Sequence, residues 1–160
     1  MKKLIVLSAI ATLSSGAVLA GNLDVGGSVP SVCEVATSAT SVHFSQLTQG
    51  AMFQLPITSL KCNDYDGSTV TLTSSEVHMQ TVDGQDGTGV GYTAQFKAGP
   101  YDFTLNATTG VNDLKESQSK NGSAALAAGY NSGNIFMTVT QTPTFAGNYT
   151  DQLMLSITAN

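Results

Sequence analysis

The chain contains no tryptophan and no arginine, and charged residues make up only 11% of it. All six basic residues are lysines, set against eleven acids. A chain without arginine and with a net negative charge has no electrostatic footprint for nucleic acid, and no attraction to an anionic membrane surface is expected. Histidine occurs only twice, at His43 and His78, and neither stands in an H-E-x-x-H or H-x-E pattern. Both read as ordinary strand residues rather than as ligands or bases. No G-x-S-x-G elbow is present, so the nucleophile and base of an exported hydrolase cannot be assembled, and neither an enzymatic activity, a metal nor a cofactor is expected. Beyond residue 20 no apolar run is long enough for a membrane-spanning helix.

The opening residues carry a clear signal. Met1-Lys2-Lys3 precedes an apolar stretch over residues 4–13 and a small-residue site, Val18-Leu19-Ala20, before Gly21. This is the pattern of a secretory signal peptide, residues 1–20, removed on export. Without Lys2 and Lys3, four lysines face eleven acids, a net charge of about −7 with neutral histidines. One domain is expected from the remaining length. Cys33 and Cys62 are the only cysteines. In an oxidising compartment they read as one disulfide, because they lack the C-x-x-C spacing of a redox or zinc site. Closing a loop of about 30 residues removes on the order of 3 to 4 kcal/mol of unfolded-chain entropy.

Short strand patterns follow one another through the chain. Residues 35–44 read as a strand with one poorly defined end, broken only by Val42 and Phe44. Phe53, Leu55 and Ile57 alternate before Leu60 and Cys62, and a shift of phase over residues 56–59 predicts a bulge, with Pro56 opposing pairing on both sides. Cys33 would thus join a first strand to the end of a second. Residues 69–73 give a short β-branched strand. Residues 92–98 and 101–107, split by Gly99-Pro100, form an expected hairpin. The polar stretch 108–129 reads as a loop or a short helical turn at its alanine-rich end. Residues 135–140 form a further strand. In the last run Tyr149, Asp151, Leu153, Leu155 and Ile157 share one face, the strongest strand signal present. Many short strands with Thr, Ser and Gly and without a long amphipathic helix predict an all-β sandwich of six or seven strands.

Residues 22–35 stand apart. Leu23, Val25, Gly27 and Val29 occupy every second position, which places three aliphatic groups and one gap on a single strand face. Pro30 lacks an amide donor and Cys33 ties the chain down just beyond, so nothing in the next residues can return as a hairpin partner. An apolar strand at a free terminus is an aggregation hazard unless a particular edge awaits it, and that edge is expected on another molecule.

Four features together resemble the chaperone-usher pilins, in particular the archaic class that shares the spore coat protein U type domain. They are the alternating leader strand, Cys33 close behind it, Cys62 closing Ser59-Leu60-Lys61-Cys62, and the ending Ala146-Gly147-Asn148-Tyr149-Thr150-Asp151 followed by Gln152-Leu153-Met154-Leu155-Ser156-Ile157. The likeness is concentrated at the two ends of the chain. The aromatic residue that better-known pilin classes commonly carry next to the C-terminus is replaced here by Thr158-Ala159-Asn160. The resemblance implies an incomplete immunoglobulin-like β-sandwich over residues 31–160, completed by a donor strand from another subunit. Residues 21–30 would be the donor extension, with Leu23, Val25, Gly27 and Val29 as donor residues and Gly27 admitting a close backbone approach. The acceptor groove edge would include Tyr149, Leu153, Leu155 and Ile157. The implied partners are neighbouring copies or related pilins, a periplasmic chaperone, an outer-membrane usher, and a host or abiotic surface. The implied location is a surface fimbria reached through the periplasm, serving adhesion or biofilm formation.

A different expectation stands beside this one. The alternating leader could be an ordinary first strand of its own sandwich, which would make the protein a self-contained secreted coat protein or a glycan- or receptor-binding module. Residues 64–67 and 83–87 carry clustered acids but not the full calcium-loop series, and read as solvated turns. Sequons at Asn106, Asn121 and Asn148 are frequent by chance in so Asn-, Ser- and Thr-rich a chain.

Overall fold

A computed structural model describes residues 23–81, 89–108 and 113–160. The expected signal peptide and the acidic turn at 83–87 lie outside the described residues. The described residues form an antiparallel all-β protein with one short helix. The strands are β1 (Cys33–Thr37), β2 (Met52–Cys62), β3 (Ser68–Ser74), β4 (Gln80–Thr81), β5 (Tyr92–Ala98), β6 (Tyr101–Ala107), β7 (Leu114–Lys120), β8 (Gly133–Val139), β9 (Tyr149–Thr150) and β10 (Leu153–Ala159), with helix α1 (Ala124–Ala128) before β8. A five-stranded sheet has the order β1-β2-β8-β5-β6, a three-stranded sheet the order β10-β3-β7, and β4 pairs with β9.

The two larger sheets share one buried core. From the first come Leu60, Phe96, Tyr101, Leu105 and Ile135, and from the second Val70 and Leu72, each 2% exposed or less. Phe96 packs edge-on to Tyr101 with centroids 6.4 Å apart and lies 5.6 Å from Phe103. Leu126 of α1 is also fully buried, and the Ser123 hydroxyl caps that helix by accepting from the Leu126 amide at 3.1 Å. Alternation of buried and exposed positions along β2, β5, β6 and β8 is the direct result of the period-two pattern in their sequences.

Strand β2 is divided between two neighbours. Residues 52–56 pair with β8, and residues 57–62 pair with β1, with Thr58 bulged out between Ser59 and Ile57. The change of partner falls at Pro56, which has no amide to donate, and the predicted irregularity over 56–59 is this bulge. The same bulge corrects the expectation of a strand over 35–44. β1 ends at Thr37, where the Thr58 bulge displaces its ladder, and after the bond from the Ser38 amide to the Pro56 carbonyl at 2.9 Å the chain leaves the sheet.

The hairpin over 92–107 forms as expected, with Ala98 opposite Tyr101 and Gly99 at φ +53, a backbone setting that favours glycine. The polar stretch 108–129 contains more order than its composition suggests: β7 is a full strand on the edge of the smaller sheet. Its residues, Leu-Lys-Glu-Ser-Gln-Ser-Lys, bury little and so show no apolar alternation. An edge strand held by its ladder to β3 carries no such signature, and its two lysines and one glutamate suit an exposed edge.

Cys33 and Cys62 are directly opposite one another in the β1–β2 ladder and are joined as a disulfide. The crosslink closes a loop of sequence separation 29. Replacing both cysteines by serine is expected to lower the unfolding free energy by about 3 kcal/mol. Urea denaturation of the oxidised protein and the double variant would show this as a lower midpoint.

Candidate functional site

Burial differs sharply between β3 and β10. Inward-facing Val70 and Leu72 of β3 are fully buried, whereas Leu153, Leu155 and Ile157 of β10, their neighbours in the same sheet, are only half-buried. β10 is the edge strand of its sheet, as β1 is of the larger one. Between them lies a groove of about 1150 Å³. One wall is Val35 with Val42, Phe44 and Leu47 of the irregular segment after β1. Leu55, Ile135 and Met137 form the floor, and Tyr149, Leu153 and Leu155 stand on the opposite wall. Of the residues expected at an acceptor edge, Tyr149, Leu153 and Leu155 therefore line the groove, and Ile157 packs against the core beyond its lining.

The alternating leader is nowhere near it in its own chain. Leu23, Val25 and Val29 are 86%, 88% and 83% exposed, and residues 23–32 belong to no strand ladder. A Cβ built on Gly27 would meet nothing within 4 Å. The strand registers fix where this arm starts. Cys33 lies opposite Cys62, and Ala159 opposite Ser68, so the arm leaves from the end of the molecule that carries residues 62–68 and the C-terminus. The groove wall formed by residues 39–47 and 143–153 belongs to the other end, beyond Thr37 and before Leu153. Arm and groove thus point to opposite poles.

No protein-family model, curated protein or solved structure matches this chain.

The single terminal strand expected from Tyr149 onward is broken in two. Tyr149 is buried on β9, opposite Thr81, with its hydroxyl donating to the Phe145 carbonyl at 2.9 Å. The break falls at Asp151. Its carboxylate accepts from the Ser74 hydroxyl at 2.5 Å, the Tyr92 hydroxyl at 2.6 Å, the Glu76 amide at 3.1 Å and the Gln152 amide at 2.7 Å. A carboxylate on the inward face of an apolar strand must find such donors, and gathering them takes the backbone out of the ladder. This cluster was missed in the sequence, although an acid among alternating aliphatics is the visible signal for it.

The cluster bolts the two sheets together beside the groove, because Tyr92 lies on β5 and Ser74 on β3. A second bolt sits at the other pole, where the Tyr101 hydroxyl of β6 donates to the Ser68 carbonyl of β3 at 3.0 Å and lies 2.7 Å from the Ser68 hydroxyl. Burial, and then the Asp151 carboxylate, push the Tyr92 hydroxyl far above the ordinary tyrosine range. Among the described residues no helix is long and apolar enough to cross a membrane, and no group of three His, Cys, Asp or Glu side chains is placed to hold a metal ion.

A phenol whose pKa is raised by folding contributes stability that is fully present below its unfolded value of about 10 and is lost as pH rises above it. Unfolding midpoints between pH 8 and pH 11 are expected to fall less steeply for Tyr92→Phe than for the parent. At neutral pH the same variant should be less stable by about 1 to 3 kcal/mol, since the Asp151 carboxylate loses a donor.

Proposed function

We propose that this protein is a pilin-like structural subunit, an incomplete immunoglobulin-like β-sandwich that polymerises by donor-strand exchange into a surface fibre serving adhesion or biofilm formation. The observation that carries this reading is that one chain presents both an apolar alternating strand without a sheet and an apolar groove beside an unpaired sheet edge, and keeps them apart. The arm from Leu23 to Val29 has seven residues, as does β10, so the lengths agree. Burying Leu23, Val25 and Val29 in a neighbour would contribute on the order of 5 to 8 kcal/mol in gross transfer terms, before association costs. Ladder bonds to β10 would add about 0.5 to 1.5 kcal/mol each.

Arm and groove at opposite poles favour a head-to-tail contact, which repeats without closing and gives a fibre rather than a symmetric dimer. Export through the periplasm fits the leader pattern and the disulfide. A periplasmic chaperone would cover the groove until an outer-membrane usher exchanges it for the next arm. The self-contained binding module is disfavoured by the arm itself, which in that case would pair within its own sheet.

Surface-sheared material run in SDS without boiling is expected to give a ladder of multimers that collapses to monomer on boiling. Since nothing in its own chain crowds Gly27, Gly27→Leu should leave the fold intact and abolish the ladder through a clash in the neighbour's groove. A single monomer band in every lane, from folded and exported protein, would sink the polymer reading.

A further inference from the structure

The root of the arm is held by one residue. The Asn63 side chain accepts from the Val32 amide through Oδ1 at 2.6 Å and donates through Nδ2 to the Pro30 carbonyl at 3.1 Å, while its own amide donates to the Val32 carbonyl at 3.2 Å. Val32 is thereby paired with Asn63 one step beyond Cys33 and Cys62, so the chain leaves the domain along the line of β1.

We infer that Asn63 is a directional clamp that keeps the arm out of its own groove and so reserves the groove for a second copy. The inference rests on the donor-strand reading above. To enter its own groove the arm would have to reverse between Val29 and Cys33 and run back beside β1. Only residues 30–32 are available for that reversal. A tight turn is often closed by a carbonyl and an amide of its own residues bonding across it. Pro30 has no amide, and the Pro30 carbonyl, the Val32 amide and the Val32 carbonyl are all engaged by Asn63. Releasing them removes the restraint without touching any groove residue. Asn63→Ala frees the Pro30 carbonyl and the Val32 amide together. Asn63→Asp keeps an acceptor for the Val32 amide and loses the donor to Pro30, so it should act in between.

The test uses the full mature chain refolded at low concentration, with monomers isolated by size exclusion and light scattering. Each monomer is melted over a tenfold concentration range and offered a synthetic peptide of residues 21–32. The parent monomer is expected to melt low and to take the peptide with a large gain in melting temperature. Asn63→Ala is expected to yield a monomer that melts about 10 °C or more above the parent, independent of concentration, and that no longer takes the peptide, because its own arm fills the groove. Asn63→Asp should give a smaller fraction of this species. An Asn63→Ala monomer that melts at or below the parent and still takes the peptide as the parent does would overturn the clamp while leaving strand exchange standing. A parent monomer that ignores the peptide would remove the donor-strand reading, and the clamp with it.

Discussion

Along one side of β10 the backbone amides and carbonyls have no strand to bond among the described residues, and beneath them Leu153 and Leu155 are half-buried against a cleft. Most of what is particular to this molecule follows from that open edge. An exposed edge over apolar side chains is a general invitation to pairing, and a chain that carries one must restrict what can answer it. Here the restriction is geometric. The wall of residues 39–47 confines access to a groove, and the alternating arm over residues 23–29 starts at the far pole.

A three-stranded sheet with an open edge has fewer contacts to hold it in place over its partner. The two tyrosine bolts answer this. Tyr101 fixes the start of β3 to β6, and Tyr92 fixes the segment before β10 to β5 through Asp151. Each bond crosses between sheets at an opposite end of the same core, so the smaller sheet is held in place at both ends. Buried polar groups of this kind serve placement more than net stability.

How much of this was legible depended on whether a position answers to local pattern or to distant partners. Alternation gave β2, the 92–107 hairpin and β8 because each buries one face against a core, and the bulge near Pro56 was visible because proline removes a donor wherever it stands. The leader strand was legible for the same reason, since its period is written in four residues. β7 was hidden because an edge strand held by backbone bonds has no need of apolar side chains. The interruption at Asp151 was hidden because it is set by Ser74, Glu76 and Tyr92, residues 59 to 77 positions away. Of the groove, Val42 and Phe44 were visible as isolated apolar residues, but only the fold brings them opposite Leu153 and Leu155. Nothing local marks Asn63, which stands beside the acidic turn at 64–67; its hold on Pro30 and Val32 arises because the disulfide and the β1–β2 ladder bring the two segments together.

The position of that disulfide has a mechanical meaning. A pull on the arm enters the domain at Cys33, at the very end of β1, and is directed along the strand rather than across it. Without a crosslink the load would fall on the β1–β2 ladder, five pairs long and already displaced by a bulge. The covalent bridge passes the tension straight into Cys62 at the end of β2, a strand of eleven residues anchored at its other half to β8 in the middle of the sheet. In the proposed fibre, force would thus be routed around that ladder and spread into the centre of the larger sheet, and β1 would be spared from being drawn out lengthwise even though it is the element to which the arm is attached.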